Sequence, residues 1–377
     1  VKQTDPNLAT ANGILPVQEL QTCFAKGYIS SQTDLADGQI QPASLDLRLG
    51  HRAWRIQASF LPGMNQTVQD KIEKFAMYEL DLTEGAVMET GCVYIVELQE
   101  RLALPDSLSA LANPKSSTGR LDVFTRLITD GAVEFEAVAK GYSGPLYAEI
   151  SPRTFSVKVR QGSRLSQLRL RRGQESLNDS ELADLQQAQK IVQFDDKTQI
   201  SIQDGIGLSV NLTPQPGTEL VGWRARKHAG LVDVDVAGGQ PANRFWEAVT
   251  VDDLSKGGLV LNPDEFYILA SREFVTVPSA FAAEMRAYDT RVGEFRAHYA
   301  GFFDPGFGVS AIGATPTRAV LEVRSHDVPF LIEQGQVACR LVYEPMAAAP
   351  EYLYGAQGSG SNYQSQGLKL AKHFHMG

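Results

Sequence analysis

The feature that most limits what this chain can fold into is an internal echo. Tyr94 and Tyr267, Pro105 and Pro278, Glu149 and Glu322, and Gly162 and Gly335 each stand 173 residues apart (267 − 94, and likewise for the other pairs). The surroundings match as well: Glu149 lies in Tyr-Ala-Glu-Ile and Glu322 in Val-Leu-Glu-Val, while Gly162 follows Arg-Gln and Gly335 follows Glu-Gln. One such pair is chance; four at one interval indicate a tandem duplication. At a slightly shorter interval, Ala43-Ser-Leu-Asp-Leu47 returns as Leu208-Ser-Val-Asn-Leu212. A chain of 377 residues suits two domains, and the echo makes them two copies of one.

Each copy reads as β. Leu45, Leu47 and Leu49 alternate with Asp46 and Arg48, the pattern of a half-buried strand. Similar short runs follow at Cys92–Leu98, Leu146–Ile150 and Arg164–Leu170, and 33 glycines and 18 prolines supply the turns of a barrel or sandwich. Helical signals are few. Val17, Leu20 and Phe24 are spaced i, i+3, i+7 between Pro16 and Gly27. Asn178-x-x-Glu181 resembles a capping box ahead of Leu182 and Leu185. The expectation is a mainly β chain: a tandem duplication of a distorted barrel or jelly-roll domain with a few short helices. The copies would span residues 1–175 and 201–346, joined by a linker helix at 176–200. The tail, 347–377, is rich in Gly, Ser, Gln and Tyr and is expected to be flexible.

The chemistry is best placed at Asn113-Pro-Lys-Ser-Ser-Thr-Gly-Arg120. A cation and clustered hydroxyls beside a glycine are what a phosphate chain needs, because its oxygens accept several charge-assisted bonds. Alone, such a run is more often a solvated turn, and it is not a Walker A loop, since the upstream glycine is missing. The copies differ here. Opposite Lys115-Ser-Ser117 the second copy reads Tyr288-Asp-Thr290, yet it carries Ala300-Gly-Phe-Phe-Asp-Pro-Gly-Phe-Gly308, a turn flanked by aromatics that could grip a flat base. A formal charge of −9 argues against a nucleic-acid surface. Cys23, Cys92 and Cys339 are isolated, which gives neither a disulfide framework nor a CxxC metal pair. His298 and His326 lack ligand-spaced partners, and His373-Phe-His375 lies in the tail. No run of 18 apolar residues and no leader-like apolar stretch appears. These features fit a soluble cytoplasmic protein that binds neither membrane nor metal directly.

Several of these pieces together resemble the dCTP deaminase branch of the trimeric dUTPase-like superfamily, in a longer, two-copy bacterial variety. They are Gly13-Ile-Leu15 with its helix, Gln41-Pro-Ala-Ser-Leu-Asp-Leu-Arg-Leu49, Lys115-Ser-Ser-x-x-Arg120, Glu149, Ala300-Gly-Phe-Phe-Asp-Pro-Gly306, Glu322 and Asn362-Tyr-Gln-Ser-Gln366. The resemblance implies a dUTPase-like fold, homo-oligomerisation, and hydrolysis of dCTP to dUTP and ammonia without zinc. The zinc deaminases' H-x-E and P-C-x-x-C motifs are absent from this chain. A carboxylate would then be the base, Glu149 or Glu322 by motif position, with Ser116 and Arg120 holding water and pyrimidine in register. Lys115, Ser116 and Ser117 would bind phosphate, the backbone around Ala300 would read the base, and Tyr363 and Gln366 would close over the nucleotide; Asp304 suits turn initiation and base reading equally. Magnesium would arrive on the triphosphate. One arrangement joins Lys115–Arg120 of the first copy to Asp304 and Glu322 of the second; another keeps Glu149 with its own copy's loop. The rival activities are a dUTP pyrophosphatase with Asp304 as base, alone or combined with deamination, and a non-catalytic nucleotide sensor.

Overall fold

The computed structural model describes residues 11–173, 176–194, 199–286, 295–297, 299, 301–309, 317–325, 327–356, 363 and 367–376. The sequence echo reappears as an echo of strands. Val93–Ala103 and Phe266–Val275, Leu108–Pro114 and Phe281–Arg286, and Arg164–Arg172 and Val337–Pro345 begin 173 residues apart (266 − 93, 281 − 108, 337 − 164). In the first copy the sheet runs Val123–Thr129, Ser143–Pro152, Val93–Ala103, Leu45–Ile56, Arg164–Arg172, Leu108–Pro114, Ala137–Val138. The second copy repeats the inner part of this order, with Thr317–Ser325 on Phe266–Val275 as Ser143–Pro152 is on Val93–Ala103. The long first-copy strand Leu45–Ile56 is split in the second into Ile206–Asn211 and Leu220–Ala225. Pro214 and Pro216 lie between the halves; proline cannot donate to a ladder, so pairing stops there. This break accounts for part of the difference in interval: Ala43 and Leu208 stand 165 residues apart before it, and Trp54 and Trp223 stand 169 apart after it.

Each copy has its own core. Leu47, Leu98, Ile150 and Leu168 are among the side chains filling the first, and Leu208, Leu269, Leu321 and Leu341 among those filling the second. The helix Asp179–Gln189 is capped by Asn178 and Glu181 as its sequence requires, and Leu182 and Leu185 seat it on the second core. A further helix, Val68–Phe75, lies between the strands Leu45–Ile56 and Ala76–Asp81. Its signal is the box formed by Thr67 and Asp70, with Val68 and Ile72 on the buried face.

The copies are fused. Ser156–Val159 of the first pairs in parallel with Leu231–Asp233 of the second, and Trp223, Phe245, Trp246 and Ile268 belong to the apolar core centred on the first copy. The chain's end crosses the same seam. Phe374–His375 pairs with Gln240–Pro241, and the Phe374 ring packs edge-on against Phe155 and Trp246. Where flexibility was expected over 347–377, residues 367–376 are docked, because an aromatic anchor outweighs the polar composition around it. Burial holds His373 neutral, with its pKa lowered to about 4, and its Nε2 lies 2.9 Å from the Val234 carbonyl.

Candidate active site

The loop singled out in the sequence begins where Leu108–Pro114 ends. Lys115 N–H donates to Leu165 O (2.9 Å), and one helical turn, Ser116–Gly119, follows. Asp122 then adopts φ 56°, turning the chain back into Val123–Thr129. Gly119 is required by contact: a Cβ there would stand 2.7 Å from Tyr299 Cβ of the second copy. The loop is thus pressed against the other copy's sheet, and a cavity opens between them.

Two carboxylates of the second copy meet cations of the first at this cavity. Arg120 Nε lies 3.7 Å from Glu322 Oε1, with both side chains almost fully buried. Arg120 also donates to Lys369 O (2.8 Å), and its guanidinium lies 4.0 Å from the centre of the Tyr363 ring. Burial pushes the Glu322 pKa up to about 7, against the lowering by Arg120. Asp304 closes the turn that receives Phe307 N–H and accepts from Arg169 Nη2 at 2.8 Å, while Arg169 stacks on Phe302 at 4.0 Å. Burial raises the Asp304 pKa, and Arg169 opposes the rise.

A second ion pair of opposite polarity stands beside the first. Asp122 of the loop, fully buried, is paired with Arg324 and accepts from Tyr299 Oη (2.8 Å) and Thr154 Oγ1 (2.5 Å). At the cavity rim Lys115 is paired with Asp46, and burial raises the Tyr363 pKa, with Arg120 opposing the rise.

The structure therefore brings Lys115, Ser116, Ser117 and Arg120 together with Asp304, Glu322 and Tyr363 around one cavity within a single chain. Glu149 is elsewhere. It lies on the equivalent strand of the first copy, 2 % exposed, in an ion pair with Arg126 of the neighbouring strand. Ala300, Gln366, His298 and His326 fall outside the described residues. Sequence reasoning missed Asp122, Tyr299, Arg324 and Arg169. Arg324 had a legible signal: two residues beyond Glu322 on a strand, it must share that residue's face. Among the described residues, no three His, Cys, Asp or Glu side chains converge as a metal site, and no helix is long and apolar enough to cross a membrane.

Comparison with known proteins finds dCTP deaminases, some of them dUMP-forming. The model of the 2′-deoxycytidine 5′-triphosphate deaminase N-terminal domain matches residues 11–174, and that of the C-terminal domain matches 178–374. The crystal structure of 2′-deoxycytidine 5′-triphosphate deaminase from Agrobacterium tumefaciens is 52% identical, with a TM-score of 0.84 over 89% of this chain and 99% of that one. A dCTP deaminase of Haloarcula marismortui is 34% identical over 138 residues, which is 36% of this chain and 67% of the relative. A dUMP-forming dCTP deaminase of Methanobrevibacter smithii is 32% identical over 110 residues, 28% of this chain and 53% of the relative.

Proposed function

We infer how this cavity works from the premise that the chain belongs to the 2′-deoxycytidine 5′-triphosphate deaminase family: it is a hydrolase that deaminates dCTP. Glu322 is the general base. The observation that carries this assignment is a buried carboxylate, in a cavity, with a pKa near 7 and a guanidinium beside it. A base of that strength is half ionised at neutral pH, where general base catalysis works best. Glu322 takes a proton from water, and the water oxygen bonds to C4 of cytosine. The C4–N4 bond then breaks. Of the two water protons, one ends on ring N3 and the other leaves with ammonia, giving dUTP.

Arg120 keeps Glu322 from rising further and, with Ser116, holds water and pyrimidine in line. Lys115, Ser116 and Ser117 offer the triphosphate a cation and two hydroxyls; Lys115 must first share its charge with Asp46 or leave it. By the family resemblance, the backbone at Ala300 reads the base and Gln366 joins Tyr363 over the nucleotide. Asp46 and Asp304 are each matched by a cation, so they make no resident metal site. Magnesium enters bound to the triphosphate, as part of the substrate. Glu149, with Arg126 in its own copy, has a structural role. Both halves of the site come from one chain, so the expected homo-oligomer is not needed to complete it. A cytoplasmic setting suits the substrate.

A second reading, release of dUMP and pyrophosphate, draws on the dUMP-forming relatives and on Asp304 in the same cavity. The Arg169 pair ties Asp304 to the turn and makes it a weaker base candidate than Glu322. Incubation with dCTP should yield ammonia and dUTP in equal amounts, and Glu322→Gln should yield neither. Pyrophosphate release would establish the second activity, while absence of ammonia from the parent protein would refute the first.

A further inference from the structure

The end of the cavity where Lys115 stands carries more positive charge than the loop alone supplies. Lys115 is paired with Asp46, and Arg164 Nη1 lies 3.7 Å from the same carboxylate oxygen, Oδ2. Asp46 is buried, and its other oxygen, Oδ1, has no hydrogen-bond partner among the described residues. Two cations thus share one oxygen of one carboxylate. Arg164 is otherwise held only by the Asp37 carbonyl, which accepts from Nη1 and Nη2 at 3.2 Å.

A third cation comes from the end of the chain. Lys372 N–H donates to Tyr363 Oη (3.3 Å), and Tyr363 lines the cavity. Gly238 N–H donates to Lys372 O (2.9 Å), two residues before Phe374–His375 joins Gln240–Pro241. The backbone of Lys372 is therefore fixed from both sides. Burial lowers the Lys372 pKa, and Lys115 and Arg164 add to the lowering while Asp46 and Asp235 oppose it. Asp235 is already committed to Arg160 Nη1 and Ser163 Oγ, at 2.6 Å each. Lys115, Arg164 and Lys372 are left with Asp46 between them. Like charges gathered at a half-buried rim disfavour their own ionisation, and such an arrangement is typical of a site whose ligand brings the opposite charge.

We propose that Arg164 and Lys372 are substrate-binding residues that, with Lys115, hold the triphosphate and make the site select nucleotides by phosphate number. A triphosphate spans all three cations, whereas a monophosphate meets the loop Lys115–Arg120 alone. The inference rests on the reading of this cavity as a dCTP site, and a polyphosphate without a base tests it separately. Neither residue belongs to the loop or to the run Asn362–Gln366. The fold brings them there: Arg164 opens the strand Arg164–Arg172, and Lys372 arrives with the docked tail.

Calorimetric titration of the full chain with inorganic tripolyphosphate, and of Glu322→Gln with dCTP and dCMP, tests the proposal. Arg164→Gln and Lys372→Gln, each added to these proteins, should weaken tripolyphosphate and dCTP about tenfold or more, as the loss of a charge-assisted bond implies, and shift dCMP by less than about twofold. Lys372→Arg should restore most of the affinity. With Glu322 in place, both glutamine variants should raise KM for dCTP and leave kcat near the parent value. Tripolyphosphate that does not bind the parent, or binds the double variant R164Q/K372Q equally well, overturns the proposal. So does an equal loss for dCMP and dCTP. Should Lys372→Gln fail to fold, Lys372→Met keeps the buried stem and takes its place. If the parent leaves dCTP unchanged while tripolyphosphate binding still depends on both residues, the deaminase reading fails and the polyphosphate site stands.

Discussion

Replacing Glu322 by glutamine should cut turnover steeply and, at the same time, flatten the pH dependence of stability. Glu322 is 4 % exposed, and its pKa is raised from 4.5 to about 7. One unit is worth about 1.4 kcal/mol, so a rise of about 2.5 units amounts to about 3 kcal/mol. The sign follows from the acid being raised. Below pH 4.5 the group is protonated in both folded and unfolded states and costs nothing. Between about pH 4.5 and 7 the unfolded state releases this proton while the folded state keeps it, so stability falls through that window and levels off once the folded group ionises too. The parent protein should therefore lose about 3 kcal/mol from this group between about pH 4 and 8, and the variant none of it. Glutamine also deprives Arg120 of its carboxylate, but that loss comes as an offset fixed by packing, whereas the carboxyl contribution changes across the window. Urea unfolding at a series of pH values, followed by tryptophan fluorescence, measures the difference directly. Turnover of dCTP should fall by about a hundredfold to ten-thousandfold. A variant-minus-parent difference that stays flat over this range, or a variant that keeps its turnover, would refute the reasoning.

Arg120→Gln should move the acid limb of kcat to higher pH by about 1–3 units, because it removes the cation beside the base; an unmoved limb in the pH–rate profile would separate Arg120 from Glu322. Gly119→Ala drives a methyl into Tyr299 and should cost about 1–3 kcal/mol in denaturant unfolding, with a matching drop in kcat as the loop loses its seat. Arg324→Gln leaves the Asp122 carboxylate buried without its ion-pair partner and should destabilise the fold by about 3–5 kcal/mol, with Arg324→Lys recovering part of the loss in the same measurement. Glu149→Gln should leave steady-state dCTP turnover near the parent level, and a loss as deep as that of Glu322→Gln would move the base to the first copy.

Duplication was legible because strand starts keep their spacing when loops do not change length, and Val93, Leu108 and Arg164 meet their counterparts without insertion. The loop Lys115–Arg120 was legible through its residue types. The choice between Glu149 and Glu322 was not, because the two occupy the same register in their copies and differ in what covers them. That depends on the helix Val68–Phe75, whose only local signal is a short capping box between two strands. The docking of 367–376 was hidden for a related reason. Phe374 is one aromatic in a polar segment, and nothing local reveals that Phe155, Phe245 and Trp246 form a receiving pocket far away in sequence.

The two crossed ion pairs at the seam also work as a key. Arg120 and Asp122 alternate in charge along the loop, and Glu322 and Arg324 alternate the other way along the strand. A slip of one pleat in either direction would set guanidinium against guanidinium or carboxylate against carboxylate, an arrangement no buried seam tolerates. The first copy offers Ser151 where the second offers Arg324. A folding chain with two nearly identical landing places thus has a reason to choose one of them: on the wrong sheet, Asp122 would find a hydroxyl in place of its counter-charge.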